Sequence, residues 1–414
     1  MTTAAPRARS QHLPLPREQR HGVALCLSGG GYRAALFHLG ATRRMNELGA
    51  LSRVDTITSV SGGSIFASLV AAYAVRRPDA WSQPGGPVPD YDAEVAEPMR
   101  ELAKHNLRTR TVLRRLWPPR NWRNTQVQID ALAERLADGP TGRARLGELP
   151  ERPRFVFCSS EMRFRAQWTF DSGARRLGSD PPGHAAFGDQ WTIARAAASS
   201  SCLPGAFAPM RVTDALTGGT YEGEDAETLK RALALSDGGM YDNLGVEPVW
   251  KDHATVLASD AGPSFDPDPG LGRVWNSLRF AIILLEQATD VRKRWLLSNL
   301  AAGELEGTYW SVARSVDGYP ERPPAPAYSD RFVRRYIAPI RIDLDVFSDG
   351  ERAVLENHGY LMADAALRSH VRELAAGWPE PSVPFPEWMD EERAASALRD
   401  SGKTRLFARG WFRR

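Results

Sequence analysis

Ser61 lies in "TSVSGGSIFASL", residues 58–69, where an apolar run gives way to a helical pattern. Val54 to Val60 reads as a strand and Ser64 to Val75 as a helix, which puts Ser61 on the turn between them. A serine on a sharp strand-to-helix turn is a nucleophile elbow, and small flanking residues make room for its strained backbone. The usual pattern is G-x-S-x-G. Here it is Ser59-Val60-Ser61-Gly62-Gly63, with serine in the first position. A helix starting near Gly62 aims its N-terminal dipole at Ser61 and favours negative charge developing there. The same residues also make an ordinary Gly/Ser turn. Ser59 and Ser64 are rivals by composition, and Ser64 is better explained as a first-turn helix residue.

Two further stretches carry chemistry. In "LCLSGGGYRAALFHLG", residues 25–40, three glycines join the apolar run Val23 to Leu27 to a helical pattern over Tyr32 to Leu48. Glycines at such a junction let backbone N–H groups approach an anion. That anion is a bound phosphate or an oxyanion present only during a reaction. The G-K-[ST] of a P-loop and the G-x-G-x-x-G of a dinucleotide site are both absent. In "LALSDGGMYDNLG", residues 233–245, Asp237 follows an apolar segment and precedes two glycines. A carboxylate at that strand end can act on a serine directly as a base, while Asp-Gly taken alone is more readily a plain Asx turn. Histidine is the more usual base. Of eight histidines, His38 falls inside the first helix, His253 precedes a strand and His358 lies in a helical stretch. None has a recognisable catalytic context, which favours a Ser–Asp pair over a triad.

The elements that must position these groups read as alternating units. Strand, helix, strand, helix over residues 23–75 argues for a parallel sheet with right-handed crossovers. Residues 76–95 are rich in Pro, Gly and Asp and read as a loop. Phe155 to Cys158 and Gln167 to Phe170 read as a hairpin, and Thr255 to Ala258 as a buried strand. Thr213 to Glu227 reads as an inserted polar loop. Arg273 to Leu300 and Ala353 to Leu367 carry helical patterns. After Trp378 the chain turns Pro-rich, then ends in a short helix and a basic tail. No internal repeat and no clean interdomain linker appears.

The chain has 414 residues, 42% apolar and 25% charged, as in a globular protein able to bury a core unaided. Cys26, Cys158 and Cys202 form no C-x-x-C pair and read as reduced core residues, which points to a reducing, cytoplasmic compartment. No stretch is long enough for a membrane span, and the N-terminus lacks the apolar region of a secretory signal. Net charge is +3, but residues 1–20 carry +3, residues 100–123 carry +7 and residues 403–414 carry +5. Basic charge in three short places fits an anionic surface better than a nucleic-acid groove. Trp117 and Trp122 in the second segment and Trp411 in the third add residues that favour a membrane interface. The second segment reads equally as a helix packing its leucines on the core with its arginines in water.

Taken in order, S-G-G-G-Y-R-A at 28–34, S-V-S-G-G at 59–63, "ARAAASSSCLPGAFAP" at 194–209 and D-G-G at 237–239 resemble the patatin-like phospholipase family. The resemblance covers roughly residues 20–370. It implies an α/β three-layer sandwich, with a central mostly parallel sheet and helices on both faces, that cleaves acyl esters of lipids without metal or cofactor. It implies Ser61 as nucleophile, Asp237 as base, and Gly29, Gly30 and Gly31 as donors to the oxyanion. Gly63 and Gly238 would support the backbone around these groups. Arg33 would fix the loop by pairing with a carboxylate, or else bind lipid phosphate. Ser28 stands where the family often has Asp, and Ser59 where it has Gly. A lone carboxylate is a weak base unless desolvated, so Asp237 is predicted to be buried.

The organisation expected is a disordered basic tail over 1–20, a catalytic domain over 21–375 with a basic helical excursion near 100–123, and a Pro-rich then basic extension over 376–414. The substrate expected is a phospholipid or other acyl lipid, met at an anionic membrane by peripheral contact and with no nucleic-acid partner. A soluble carboxylesterase or thioesterase, or a partner-activated effector on the same fold, is the alternative.

Overall fold

The computed structural model describes residues 14–109, 111, 126–204, 207–221, 226–262, 273–399 and 401. Most of the excursion beyond residue 109, including Trp117 and Trp122, lies outside these residues. So do residues 1–13 of the N-terminal tail and the basic tail from 402.

One mixed sheet organises the chain. Its parallel part is formed by β1 (Val23–Leu27), β2 (Thr56–Val60), β3 (Arg154–Glu161), β9 (Thr255–Asp260) and β10 (Glu306–Ser311), side by side in the order β10-β9-β1-β2-β3. Beyond β3 the sheet continues antiparallel through β4 (Ala166–Asp171), β5 (Arg176–Ser179) and β6 (Gly183–Ala186). β4 pairs with β3 as the hairpin expected from sequence. Two more strands, β7 (Met210–Arg211) and β8 (Ala234–Asp237), pair with each other, and β8 also pairs with β3.

Alternate residues of the parallel strands feed two cores, as a sheet covered on both faces requires. Leu25 and Leu27 of β1 join a large cluster with helices α1 (Gly31–Glu47), α2 (Gly62–Arg76) and α6 (Asp349–His370). Ala24 and Cys26 join a second cluster with Leu296 of the long helix α5 (Arg273–Ala301). The result is the helix–sheet–helix sandwich expected. On the larger face α1 and α6 are joined by a fully buried ion pair, Arg44 to Asp364 at 2.7 Å. All three cysteines are buried and unpaired.

Helix starts differ from the sequence reading by at most four residues, the largest gap being at α6, which begins at Asp349 rather than Ala353. α2 begins at Gly62 rather than Ser64, because both glycines take part in its first turn. Ala194 to Ala208, rich in small residues, begins as a helix (α4, Ile193–Ser200) capped by the Thr192 side chain. The loop read over 76–95 contains a short turn of helix at Pro78–Trp81. The basic stretch enters on helix α3 (Glu97–Leu102), and the backbone of Leu107 and Arg108 is then tied to Leu344.

Candidate active site

Ser61 and Asp237 are brought together by the two occupants of one edge of β3. β2 runs parallel to β3 and ends with Val60 opposite Cys158. β8 runs antiparallel along the same edge and ends with Asp237 opposite Ser159, the next residue. The C-terminal ends of β2 and β8 therefore meet head to head. Ser61 follows Val60 and stands against Asp237, 176 positions away in the sequence.

Ser61 has φ 49° and ψ −118°, a conformation costly for any residue with a side chain. Its surroundings over-determine that backbone. Its N–H donates to Ser200 Oγ at 2.9 Å, and its carbonyl accepts Ser201 Oγ at 3.0 Å. The N–H groups of Ser64 and Ile65 reach the same carbonyl at 2.8 and 3.0 Å. No larger residue fits at Gly62, because a Cβ there would lie 2.1 Å from Gly31 O. Gly63 packs against the end of β1 and Gly238 against β3 in the same way.

Asp237 is 4% exposed. Its Oδ1 accepts the Gly239 N–H at 2.8 Å. Burial pushes its pKa up to about 6, against the opposing pull of a hydrogen bond from the Ser61 side chain and that N–H. Oδ2 is enclosed and has no donor in strict hydrogen-bond geometry among the described residues.

The Gly-rich loop lies directly on the elbow: a Cβ on Gly29 would sit 3.1 Å from Ser61 Cβ. Gly30 and Gly31 take φ 148° and 59°, open to glycine and strained for other residues. The three amides are not equivalent. Gly29 N–H is spent on Asn243 O at 3.1 Å, so it cannot serve an incoming oxyanion, contrary to the expectation from sequence. The N–H groups of Gly30 and Gly31 have no partner among the described residues.

Arg33 also departs from expectation. It is 2% exposed and pairs with no carboxylate among the described residues. Its guanidinium donates to the carbonyls of Ala338 and Ile340 at 3.0 and 2.9 Å and to those of Ala261 and Gly262. Burial and these bonds leave nothing to bind a lipid phosphate. Ser28 and Ser59, the two departures from the family pattern, are both structural ties. Ser28 Oγ accepts the Ala261 N–H at 2.7 Å, and Ser59 Oγ accepts the Ser64 hydroxyl at 3.0 Å.

The histidines are engaged elsewhere. His38 bridges Ser259 Oγ at 2.8 Å and Ser28 O at 2.9 Å; His358 contacts Val312 O at 3.1 Å. Burial lowers both to a pKa of about 4. His253 meets Thr56 Oγ1 at 2.8 Å.

Sequence reasoning singled out residues 194–209 without giving them a task. Residues 199–202 clamp both strand ends. Ser200 Oγ reaches Ser61 N–H, Ser64 Oγ at 2.8 Å and Cys158 O at 2.5 Å, while Ser200 O accepts the Gly238 N–H at 3.2 Å. Cys202 O accepts the Asp237 N–H at 3.1 Å. Asn243 was missed, although it closes the "DGGMYDN" stretch. Asp343, whose carbonyl accepts the Tyr32 N–H at 2.9 Å, carries no local signal at all. Among the described residues no three His, Cys, Asp or Glu side chains are arranged to hold a metal ion.

A three-layer α/β sandwich with a strained serine elbow, a buried carboxyl beside it and a Gly-rich loop against it defines the class. The chain belongs to the patatin-like phospholipase family, a family of lipid acyl hydrolases whose model matches residues 25–250. Among solved structures, VipD from Legionella pneumophila is similar at 14% identity and a TM-score of 0.38, over 85% of this chain and 67% of that one. Human GIVD cytosolic phospholipase A2 is similar at 12% identity and a TM-score of 0.43, over 96% of this chain and 65% of that one. The same human enzyme in complex with methyl gamma-linolenyl fluorophosphonate gives 12% and 0.46, over 95% and 61%. The chain spans about two thirds of the length of these structures. No curated protein matches it.

Proposed function

We propose that this protein is a phospholipase A-type acyl hydrolase that works through Ser61 and Asp237. The observation that carries the reading is the head-to-head meeting of β2 and β8 on β3, which sets a strained serine against a buried carboxyl. Ser61 Oγ attacks the ester carbonyl while Asp237 takes its proton. The N–H groups of Gly30 and Gly31, with the dipole of α2 behind Ser61, receive the tetrahedral oxyanion. Asp237 returns the proton to the leaving alcohol, and Ser61 is left acylated. Water, deprotonated by Asp237, then releases the fatty acid. The near-neutral pKa of Asp237 suits a base that must alternate between both protonation states.

The substrate would be reached by peripheral contact with an anionic membrane. No helix among the described residues is long and apolar enough to cross one. Of the basic residues in the 100–123 segment, the three described ones are all paired within the protein: Arg100 with Glu356, Lys104 with Glu101, and Arg108 with Asp343. Arg100 and Arg108 thus tie the start of the segment to the body of the protein, while Lys104 stays at the surface, and membrane contact falls to the residues beyond and to the C-terminal tail.

The test is fluorophosphonate labelling and fatty-acid release from mixed phospholipid vesicles. Ser61→Ala should abolish both, and Asp237→Asn should reduce both by at least about a thousandfold. Undiminished labelling of Ser61→Ala would sink the assignment. Turnover of short soluble esters alone would make the protein a carboxylesterase instead.

A further inference from the structure

The start of α1 is held by a loop more than 300 residues downstream. The Asp343 backbone lies against Gly31, where a Cβ would meet Asp343 O at 2.6 Å and N at 2.9 Å. The same carbonyl accepts the Tyr32 N–H at 2.9 Å. The Asp343 carboxylate binds the Arg108 guanidinium, which also reaches Asp345 Oδ2 at 3.2 Å. Leu344 O accepts the N–H groups of Leu107 and Arg108 at 2.9 and 3.3 Å. Tyr32 closes the circuit: its hydroxyl meets Leu102 O at 2.8 Å and His105 O at 3.1 Å.

Gly30 and Gly31 have little conformational preference of their own, so outside contacts must decide where their N–H groups stand. Ala261 O supplies one such contact, 2.4 Å from a Cβ placed on Gly30, and Asp343 supplies the other. Ala261 is fixed by Arg33 and Ser28. Asp343 sits on a loop, and its carboxylate forms an ion pair with Arg108, with Arg341 adding a lesser attraction. That ion pair is mostly shielded, with side-chain exposures of 17% and 13%, so water and salt weaken it little.

We propose that Arg108 and Asp343 are a positioning pair for acyl transfer: their ion pair fixes the Asp343 backbone, and that backbone sets where Gly31 presents its N–H to the oxyanion. This rests on the acyl-hydrolase reading above. Neither side chain touches the reacting atoms. Oxyanion donors act mainly in the transition state, so displacing one lowers kcat and leaves substrate binding nearly intact. A pair that merely pinned residues 102–109 to the body would affect stability instead.

The experiment compares Arg108→Ala, Arg108→Lys, Asp343→Asn and the double variant Arg108→Ala/Asp343→Asn with wild type and Ser61→Ala. With a soluble ester, Arg108→Ala and Asp343→Asn should each lose about ten- to a hundredfold in kcat, since a misplacement near one ångström costs that much. KM should stay within about twofold, and the double variant should be no worse than either single one. Arg108→Lys should recover part of the loss. Amide exchange in a peptide containing Tyr32 should quicken in Arg108→Ala. Ser61-dependent wild-type turnover with unchanged kcat in Arg108→Ala would overturn the pairing, as would a loss confined to KM or to thermal stability. If wild type shows no Ser61-dependent turnover, the hydrolase reading fails by itself. Tyr32 exchange then decides whether the pair positions α1, and unchanged exchange in Arg108→Ala overturns it.

Discussion

At the scale of single residues, the proposed base Asp237 shows what burial does to a carboxyl group. An exposed aspartate would be a poor base at neutral pH. This one is pushed up to about 6, chiefly by desolvation, and the Ser61 hydroxyl and Gly239 N–H recover part of that cost. Activity should therefore rise with pH through about 6 as the carboxylate forms, which a profile of kcat/KM on a soluble ester will show. The same shift fixes the sign of a stability effect. The folded state holds the Asp237 proton more tightly than the unfolded chain, whose aspartate titrates near 4. Stability from this group is present at low pH and lost as pH rises through about 6. Asp237→Asn should be inactive yet more stable than wild type at pH 8, by about 1 kcal/mol or more, and the gap should shrink at pH 5. Thermal unfolding at the two pH values checks this. The turns that hold Ser61 and Asp237 were legible from their glycine neighbours, and their proposed roles came from the family resemblance. That Gly29 differs from Gly30 and Gly31 was not, because its amide is spent on Asn243, a partner over 200 residues away.

At the scale of elements, the site is a junction of two strand ends and a helix end. β3 is long enough to hold β2 over its first half and β8 over its last three residues, and this length creates the meeting point. The end of α4 locks it, with Ser200 at its centre and fully buried. Ser200→Ala strands the Ser61 N–H and one acceptor on Cys158, so we expect a loss of about 2–3 kcal/mol in stability. Activity should fall with it as the elbow relaxes; unfolding midpoints and ester turnover on the same samples test both. Strands β1, β2 and β9 and helices α1, α2 and α6 were legible because buried parallel strands read as unbroken apolar runs and long helices show their period. The helix at α4 was obscured by its run of Ala and Ser, which offers no contrast between faces. Strands β5, β6 and β10 went unread: β5 and β6 are four residues each, and all three contain glycine.

At the scale of the whole molecule, access to the site is set by the surface around it. Leu203, 51% exposed, directly follows the residues that clamp Ser61 and Asp237, and Ile342, 41% exposed, precedes the residue packed on Gly31. Both are exposed apolar side chains next in sequence to residues that hold the elbow and the Gly-rich loop, where contact with a lipid surface would serve entry of an acyl chain. Leu203→Glu should lower hydrolysis of phospholipid in vesicles by about tenfold and leave a short soluble ester nearly untouched, because burying one leucine in lipid contributes about 1.5–3 kcal/mol. Equal effects on both substrates would remove Leu203 from the lipid-contact reading. Sequence alone determined the alternating strands and helices over residues 23–75 and the places of the Gly-rich loop, the elbow and the Asp-Gly-Gly turn, because these depend on local rules: apolar periodicity, the small residues a sharp turn demands, and the freedom only glycine has. The sandwich and the proposed roles of Ser61 and Asp237 came from the family resemblance. Tertiary structure decided which amides remain free, why Arg33 is structural, and how Ser61 meets Asp237. Those outcomes depend on contacts between segments up to more than 300 residues apart, where a carbonyl is spent or left open according to what folds against it.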